Sequence, residues 1–112
     1  MKKIAQIIFF LGAAVLLTYC SSLSYLPTHQ NIEDAHARWS EVDSVYLYQG
    51  YELYLNKCSS CHYLHNPNKY SQNEWQKILS EMKEKAKLTE TELRPLKTYL
   101  FTLCRQDSLS KQ

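Results

Sequence analysis

The stretch Asn56 to Pro67, NKCSSCHYLHNP, brings three reactive side chains together. Cys58 and Cys61 are separated by two residues, and His62 follows the second cysteine directly. Cys-x-x-Cys-His is the attachment motif of c-type haem. Two thiols add across the two vinyl groups on one edge of the porphyrin, and the next imidazole reaches the iron from one face. The spacing therefore predicts covalent haem on Cys58 and Cys61, with His62 as an axial ligand of the iron.

Three other interpretations of this segment compete with haem. A zinc site needs further ligands at metal spacing, and the chain has no second Cys-x-x-Cys or His pair of that kind. A thioredoxin-type dithiol needs alternating strands and helices, and that pattern is missing. Chance occurrence is the third. We favour haem because the motif lies in a chain that combines an export signal with an all-helical pattern.

The start of the chain has the pattern of an export signal. Two lysines precede an almost unbroken apolar run from Ile4 to Leu17, and Cys20 follows. We predict a signal peptide over residues 1–19. Its apolar run is shorter than that of a typical membrane-spanning helix. It resembles a bacterial lipoprotein signal, whose cysteine becomes the lipidated first residue, although Tyr19 replaces the usual small residue. We expect a lipid on Cys20 and an extracytoplasmic, periplasmic location, with plain secretion or an uncleaved segment as alternatives.

Size and composition indicate one small helical domain. A chain of 112 residues often needs a disulfide, metal or cofactor to supplement a thin core. Nine tyrosines against two glycines and three prolines favour a helical, aromatic-rich interior. Without the two lysines of the signal, 11 basic residues balance 11 acidic ones. No nucleic-acid partner is expected for such a neutral chain.

Apolar residues recur at helical spacing downstream of the signal. We predict a tether over residues 20–30, a folded domain over 31–105 and a tail over 106–112. No segment alternates as a strand would, so the fold class is all-α, with three to four helices packed around one covalent haem. The expected helices cover 31–39 and 44–57, and two more open at the capping boxes Ser71 with Glu74 and Thr89 with Glu92.

Several residues around the haem motif carry a family resemblance. They are Gly50 and Tyr54, eight and four residues before Cys58, the CSSCH segment itself, and Leu96 with Tyr99. Through them the chain resembles a small class I cytochrome c from about Val45 to Leu103. The resemblance implies that the first and last helices cross closely at the glycine, so that Gly50 and Tyr54 meet Leu96 and Tyr99. The segments AHARW and EWQKILSEM also resemble small monohaem cytochromes of bacterial lipoproteins.

Met82 is the predicted second axial ligand. It is the only methionine left once the signal and Met1 are removed, and the resemblance places a methionine C-terminal to the haem motif. Longer cytochromes carry that methionine much further from the motif, usually on a loop. The alternative is that Met82 only fills the core, as methionine often does. We expect the other histidines, His29, His36 and His65, to be solvated.

Other residues are expected to support the haem. The Pro67 carbonyl is the predicted hydrogen-bond acceptor for the outer nitrogen of His62, and this bond would orient the imidazole ring. The alternative is that Pro67 is an ordinary turn proline. Cys104 is expected to be a small buried residue at the end of the last helix, with a disulfide to an unlipidated Cys20 or to a partner as the alternative. Candidate haem-wall residues, for which a simple core role is the alternative, are Leu64, Tyr70 and Trp75.

These residues together predict a one-electron carrier and not an enzyme. With both axial positions filled, substrates cannot bind the iron, and His/Met ligation suits the high-potential end of a respiratory chain. The expected partners are redox proteins, namely an oxidase, a quinol-oxidising complex or a dehydrogenase, met at a membrane through the lipid anchor. If Met82 does not bind iron, a gas sensor or a peroxidase-like enzyme is the alternative; a haem-bearing structural subunit of a membrane complex is another.

Overall fold

The protein is described from a computed structural model that covers residues 1–19, 25–59 and 63–106. Those residues contain helices and no strand, which confirms the all-α prediction. A π-helical turn, Tyr54–Cys58, continues the third helix, and a 3₁₀ turn, Pro67–Lys69, precedes the fourth. The α-helices are α1 (Lys2–Tyr19), α2 (His29–Arg38), α3 (Ser44–Leu53), α4 (Gln72–Lys85) and α5 (Glu90–Leu103).

Helix α1 covers the predicted signal peptide. The apolar side chains that the structure describes there, such as Ile4 and Phe9, are exposed. Within the described part of the chain, no helix combines the length and apolarity required to cross a membrane. Cys20 lies outside the described residues, so its lipidation stays a prediction.

Side-chain caps fix where the helices begin. Both predicted capping boxes are confirmed, because Ser71 and Thr89 each accept from the backbone N–H three residues on. The carboxylates of Glu74 and Glu92 accept from the cap N–H in return. A third box, Thr28 with Asn31, starts α2 two residues before the predicted position. Asparagine replaces the usual Glu or Gln there, which is why the pattern did not reveal it.

The predicted tether over 20–30 is too long, because its second half is docked on the domain. The Tyr99 hydroxyl donates to the Tyr25 carbonyl over 2.6 Å. The Tyr25 ring packs edge-on against Tyr54, with ring centroids 6.4 Å apart, and Pro27 is buried. Burial of an aromatic ring on the core holds this segment, although its polar composition is typical of a linker.

Helices α3 and α5 form the main interface and cross at Gly50. A Cβ atom added to Gly50 would lie 2.1 Å from the Pro95 carbonyl oxygen and 2.5 Å from the Tyr99 Cβ. The Tyr54 ring packs against Tyr99 with centroids 5.7 Å apart, and Leu96 is fully buried. The close crossing implied by the family resemblance is therefore confirmed.

Replacing Gly50 with alanine should destabilise the fold strongly. The new methyl group would meet the backbone of α5, which cannot move aside as a flexible side chain can. We expect the free energy of unfolding of the haem-loaded protein to fall by about 3 kcal/mol, measured by denaturant titration. The control is Gln49→Ala on the exposed face of α3, where the change should stay within about 0.5 kcal/mol. Equal midpoints for the two variants would contradict the close crossing.

Candidate haem site

Cys58, the first cysteine of the predicted haem motif, lies at the end of a local change in helix geometry. Helix α3 passes into the π-helical turn that ends at Cys58, and the Cys58 side chain is half-buried. Lys57, its neighbour, forms an ion pair of 3.6 Å with Glu92 at the start of α5. Turns of this type within α-helices are frequent at functional sites. The predicted continuous helix over 44–57 is therefore α-helical only as far as Leu53.

Cys58 lines an apolar cavity of about 170 Å³. Met82 of α4 lines the same cavity, so the structure brings together a predicted thioether cysteine and the predicted sulfur ligand. Leu64 is half-buried against the core and is not part of this wall. Cys61 and His62 lie outside the described residues. The lining residues are Tyr54, Cys58, His65, Tyr70, Trp75, Ile78, Leu79, Met82, Leu88 and Leu100.

Three aromatic rings line this cavity, and Trp75 packs on the other two. The Trp75 ring meets Tyr54 and Tyr70 edge-on, with centroids 6.1 Å and 5.2 Å apart. Tyr54 is only 2% exposed. This burial raises the pKa of Tyr54 far above its ordinary value. The phenol therefore stays neutral and serves as a hydrogen-bond donor.

The loop that follows the haem motif is held by two side-chain donors. The Tyr54 hydroxyl donates to the His65 carbonyl. The Trp75 indole Nε1–H donates to the Pro67 carbonyl over 2.7 Å, in a buried position. Sequence reasoning missed both bonds, because a side chain that reaches a backbone carbonyl across the fold has no characteristic spacing.

A family model described as "Dihaem cytochrome c" matches residues 54–112, slightly more than half of the chain. The chain belongs to the dihaem cytochrome c family. It is therefore a c-type cytochrome, with covalently bound haem and a role in haem-based electron transfer. Comparisons with curated proteins and with solved structures find no significant match.

The residues of this cytochrome fit a porphyrin at the cavity. Apolar and aromatic side chains suit an apolar ring system, and one thiol and one thioether line the same cavity. The cavity is smaller than the roughly 300–1,000 Å³ typical of ligand pockets, so the described wall encloses only part of a bound ring. By the predicted attachment, Cys58 and Cys61 would hold the ring, and His62 and Met82 would be the ligands of its iron; of these four, the structure describes Cys58 and Met82.

The family name and our prediction differ in the number of haems. The family is named for two haems, whereas the resemblance to small monohaem cytochromes implied one. This chain contains a single Cys-x-x-Cys-His, from Cys58 to His62. Its other two cysteines, Cys20 and Cys104, have no such partner residues beside them.

The three histidines that the structure describes divide between the surface and the cavity. His29 and His36 are exposed on α2, as expected; His29 pairs with Glu33 at 3.5 Å. The expectation that His65 is solvated is wrong. Its side chain is half-buried on the cavity wall, with its ring edge-on to Tyr70 at 5.7 Å. The Tyr54 bond to the His65 backbone places the residue there, which its distance from His62 along the chain did not reveal.

Cys104 is the buried residue that ends the last helix. It is 4% exposed, caps α5 and donates its Sγ–H to the Phe101 carbonyl at 3.3 Å. This confirms the predicted role as a small buried side chain. A wider groove of about 590 Å³, with polar and apolar lining residues, lies beside it between α2, the Asn66–Asn68 loop and the end of α5; it does not include Cys58.

Proposed function

We propose that this cytochrome carries one electron on one haem per chain, with His62 and Met82 as the axial ligands. One observation supports the proposal above the others: Cys58 and Met82, from different elements, line one apolar cavity. A single Cys-x-x-Cys-His supports one thioether-linked haem. Two protein ligands leave the iron no open position, so a carrier is favoured over a haem enzyme.

When bound, haem supplies an iron that alternates between the ferric and the ferrous state. The side chains around the cavity determine how easily it does so. Ile78, Leu79 and Leu100 exclude water, which disfavours the extra positive charge of the oxidised form. The Met82 thioether is a weak donor and raises the potential relative to a second imidazole. We therefore place the protein at the high-potential end of a respiratory chain, between a quinol-oxidising complex or dehydrogenase and an oxidase.

The wild-type protein tests this function directly. Produced with a c-type maturation system, it should be coloured and should show one reversible one-electron titration. Its ferrous form should not bind carbon monoxide, because Met82 fills the sixth position. Rapid binding of carbon monoxide by the wild type would favour the gas sensor or peroxidase-like alternative and would contradict the carrier.

We further propose that Cys20 carries lipid and holds the protein at the periplasmic side of a bacterial membrane. Because the chain is docked from Tyr25 onward, only four residues separate the attachment point from the domain. Even when fully extended, this linker spans at most roughly 18 Å. The short linker would keep the haem domain close to membrane-bound partners and raise their effective concentration. Weak contacts would then suffice for electron transfer.

Mass spectrometry of the natively produced protein tests the anchor. We expect a diacylglyceryl-modified Cys20 at the mature N-terminus and recovery of the protein with membranes. Cys20→Ser should move the protein to the soluble fraction or leave the signal uncleaved, whereas the neighbouring control Ser21→Ala should stay with the membranes. An unmodified Cys20 or an intact Met1 in the native protein would rule the anchor out.

A further inference from the structure

Helix α3 presents two large apolar side chains to solvent. Val45 is 63% exposed and Tyr48 is 37% exposed, and their spacing of three residues places them on one side of the helix. Glu52 follows Tyr48 by four residues and is exposed on the same side. We call Val45, Tyr48 and Glu52 the α3 face. Scattered apolar residues are ordinary on protein surfaces, but these two are adjacent and have a charged neighbour.

The surroundings of the α3 face are acidic. Residues 39–56 contain Glu41, Asp43 and Glu52 and no lysine or arginine. Among the residues that the structure describes, the ion pairs of lysine and arginine are made with other carboxylates, so these three acids are not neutralised by a paired base. An apolar centre with an acidic border is complementary to a partner surface that has an apolar centre and a basic border.

An open groove of about 310 Å³ adjoins the α3 face, between α3 and the start of α5. Glu52 and Asn56 line it, together with Glu92, whose carboxylate is already paired with Lys57. The charged groups of lysine and arginine carry hydrogen-bond donors only, so such a side chain would meet acceptors in this groove at Glu52 and Asn56. The groove therefore favours a basic partner over an acidic one.

Packed tyrosine rings lead from the α3 face to the haem cavity. Tyr51 lies one helical turn after Tyr48, is 7% exposed, and has its ring centroid 5.9 Å from that of Tyr99. The Tyr99 ring lies 5.7 Å from Tyr54, which lines the cavity. Electron tunnelling weakens steeply with distance and is favoured by closely packed atoms, so this layer of rings couples the α3 face to the cavity wall.

We propose that the α3 face docks a basic redox protein, with Val45 and Tyr48 at the centre of the contact and Glu52 binding a lysine or arginine of the partner. The inference rests on the proposed function as an electron carrier. In the contact one electron passes between the haem iron and the redox centre of the partner, so that one is oxidised as the other is reduced. No covalent bond is made or broken.

Oxidation of the ferrous, haem-loaded protein by tris(phenanthroline)cobalt(III) tests this surface. The probe is cationic and aromatic, and it takes up one electron as cobalt(III) becomes cobalt(II). In stopped-flow measurements at low salt, Glu52→Gln should lower the second-order rate constant roughly threefold or more and should weaken its dependence on ionic strength. Tyr48→Gln should also lower the rate constant, because the aromatic centre is lost. A blue-copper protein with a basic surface, used as the oxidant, should give the same order of rates.

Glu33→Gln is the matched control. Glu33 is exposed on α2, and its replacement changes the net charge by the same amount. This variant should react almost as fast as the wild type. With the anionic oxidant hexacyanoferrate(III), Glu52→Gln should not slow the reaction, because a lost negative charge no longer repels that probe. Both substitutions are on the surface and should leave the fold intact, which the unchanged haem spectrum verifies.

NMR spectra of the ferrous protein locate the contact. Hexaamminechromium(III), a paramagnetic cation that does not exchange electrons with the haem, should broaden the resonances of Val45, Tyr48 and Glu52 selectively. Broadening confined to other surfaces would overturn the inference. So would equal rates for Glu52→Gln and Glu33→Gln with either cationic oxidant, since only net charge would then matter.

These failures are distinguishable from a failure of the proposed function. Each of them would leave a wild type that holds covalent haem and titrates with one electron, so the carrier would stand and only its docking surface would be wrong. A wild type without covalent haem, or one that binds carbon monoxide, would instead contradict the proposed function.

Discussion

Changing both Cys58 and Cys61 to alanine should abolish covalent haem attachment. In the proposed attachment each thiol would form one thioether bond to a former vinyl group, so the double variant would have no covalent bond to the porphyrin. On a denaturing gel, haem-dependent peroxidase staining should be present for the wild type and absent for the double variant. The loss is expected to be complete, because no other Cys-x-x-Cys-His exists in this chain.

The matched control is Cys104→Ala. Cys104 is buried at the end of α5 and its Sγ–H is bonded to the Phe101 carbonyl, so it is not part of the haem wall. This variant should lose some stability through a small cavity, by about 1 kcal/mol, yet retain full haem staining. Staining that survives in the double variant would show that another residue holds haem. A colourless but folded wild type would contradict attachment at this motif.

The number of covalently bound haems can be measured from the mass of the intact protein. The family takes its name from two, and the single motif of this chain provides thiols for one. Intact mass spectrometry of the wild type should show the mass of one haem added to the polypeptide. A mass increase of two haems would mean that a site without the motif also binds haem covalently.

Features set by neighbouring residues were predictable from sequence, and contacts across the fold were not. The capping boxes at Ser71 and Thr89 depend on residues three apart, and the structure places both as predicted. The crossing at Gly50 was available only through the family resemblance, because nothing in the spacing shows that the Pro95 carbonyl lies against it. The docking of Tyr25 on Tyr99 joins residues 74 positions apart and has no local pattern.

The candidate site shows the same division. Cys58 was evident from the motif, and Met82 followed from elimination and resemblance; the structure then places both on one cavity. His65 and the Trp75 bond to Pro67 were missed, because burial of a loop side chain depends on which carbonyls the surrounding helices can reach. Such bonds form where buried backbone groups need partners, and this need is known only once the helices are packed.

Replacing Met82 with leucine should open the sixth position of the iron. Leucine fills nearly the same volume, so the cavity wall is retained while the sulfur is lost. The weak long-wavelength band of sulfur-to-iron charge transfer should disappear from the ferric spectrum. Ferrous Met82→Leu should bind carbon monoxide rapidly, and its midpoint potential should fall by roughly 0.1 V or more, since axial ligands set haem potentials over about 0.8 V.

A control on the same wall separates ligation from packing. Ile78 lies one helical turn before Met82 and lines the same cavity, so Ile78→Val removes a methyl group from the wall and leaves the sulfur in place. It should cost about 1 kcal/mol of stability while keeping the sulfur band and the resistance to carbon monoxide. If Met82→Leu instead resembles this control in spectrum and potential, the thioether only fills the core. The half-buried His65 would then be the next side chain to replace, because it is the one described cavity residue with an imidazole nitrogen able to bind iron.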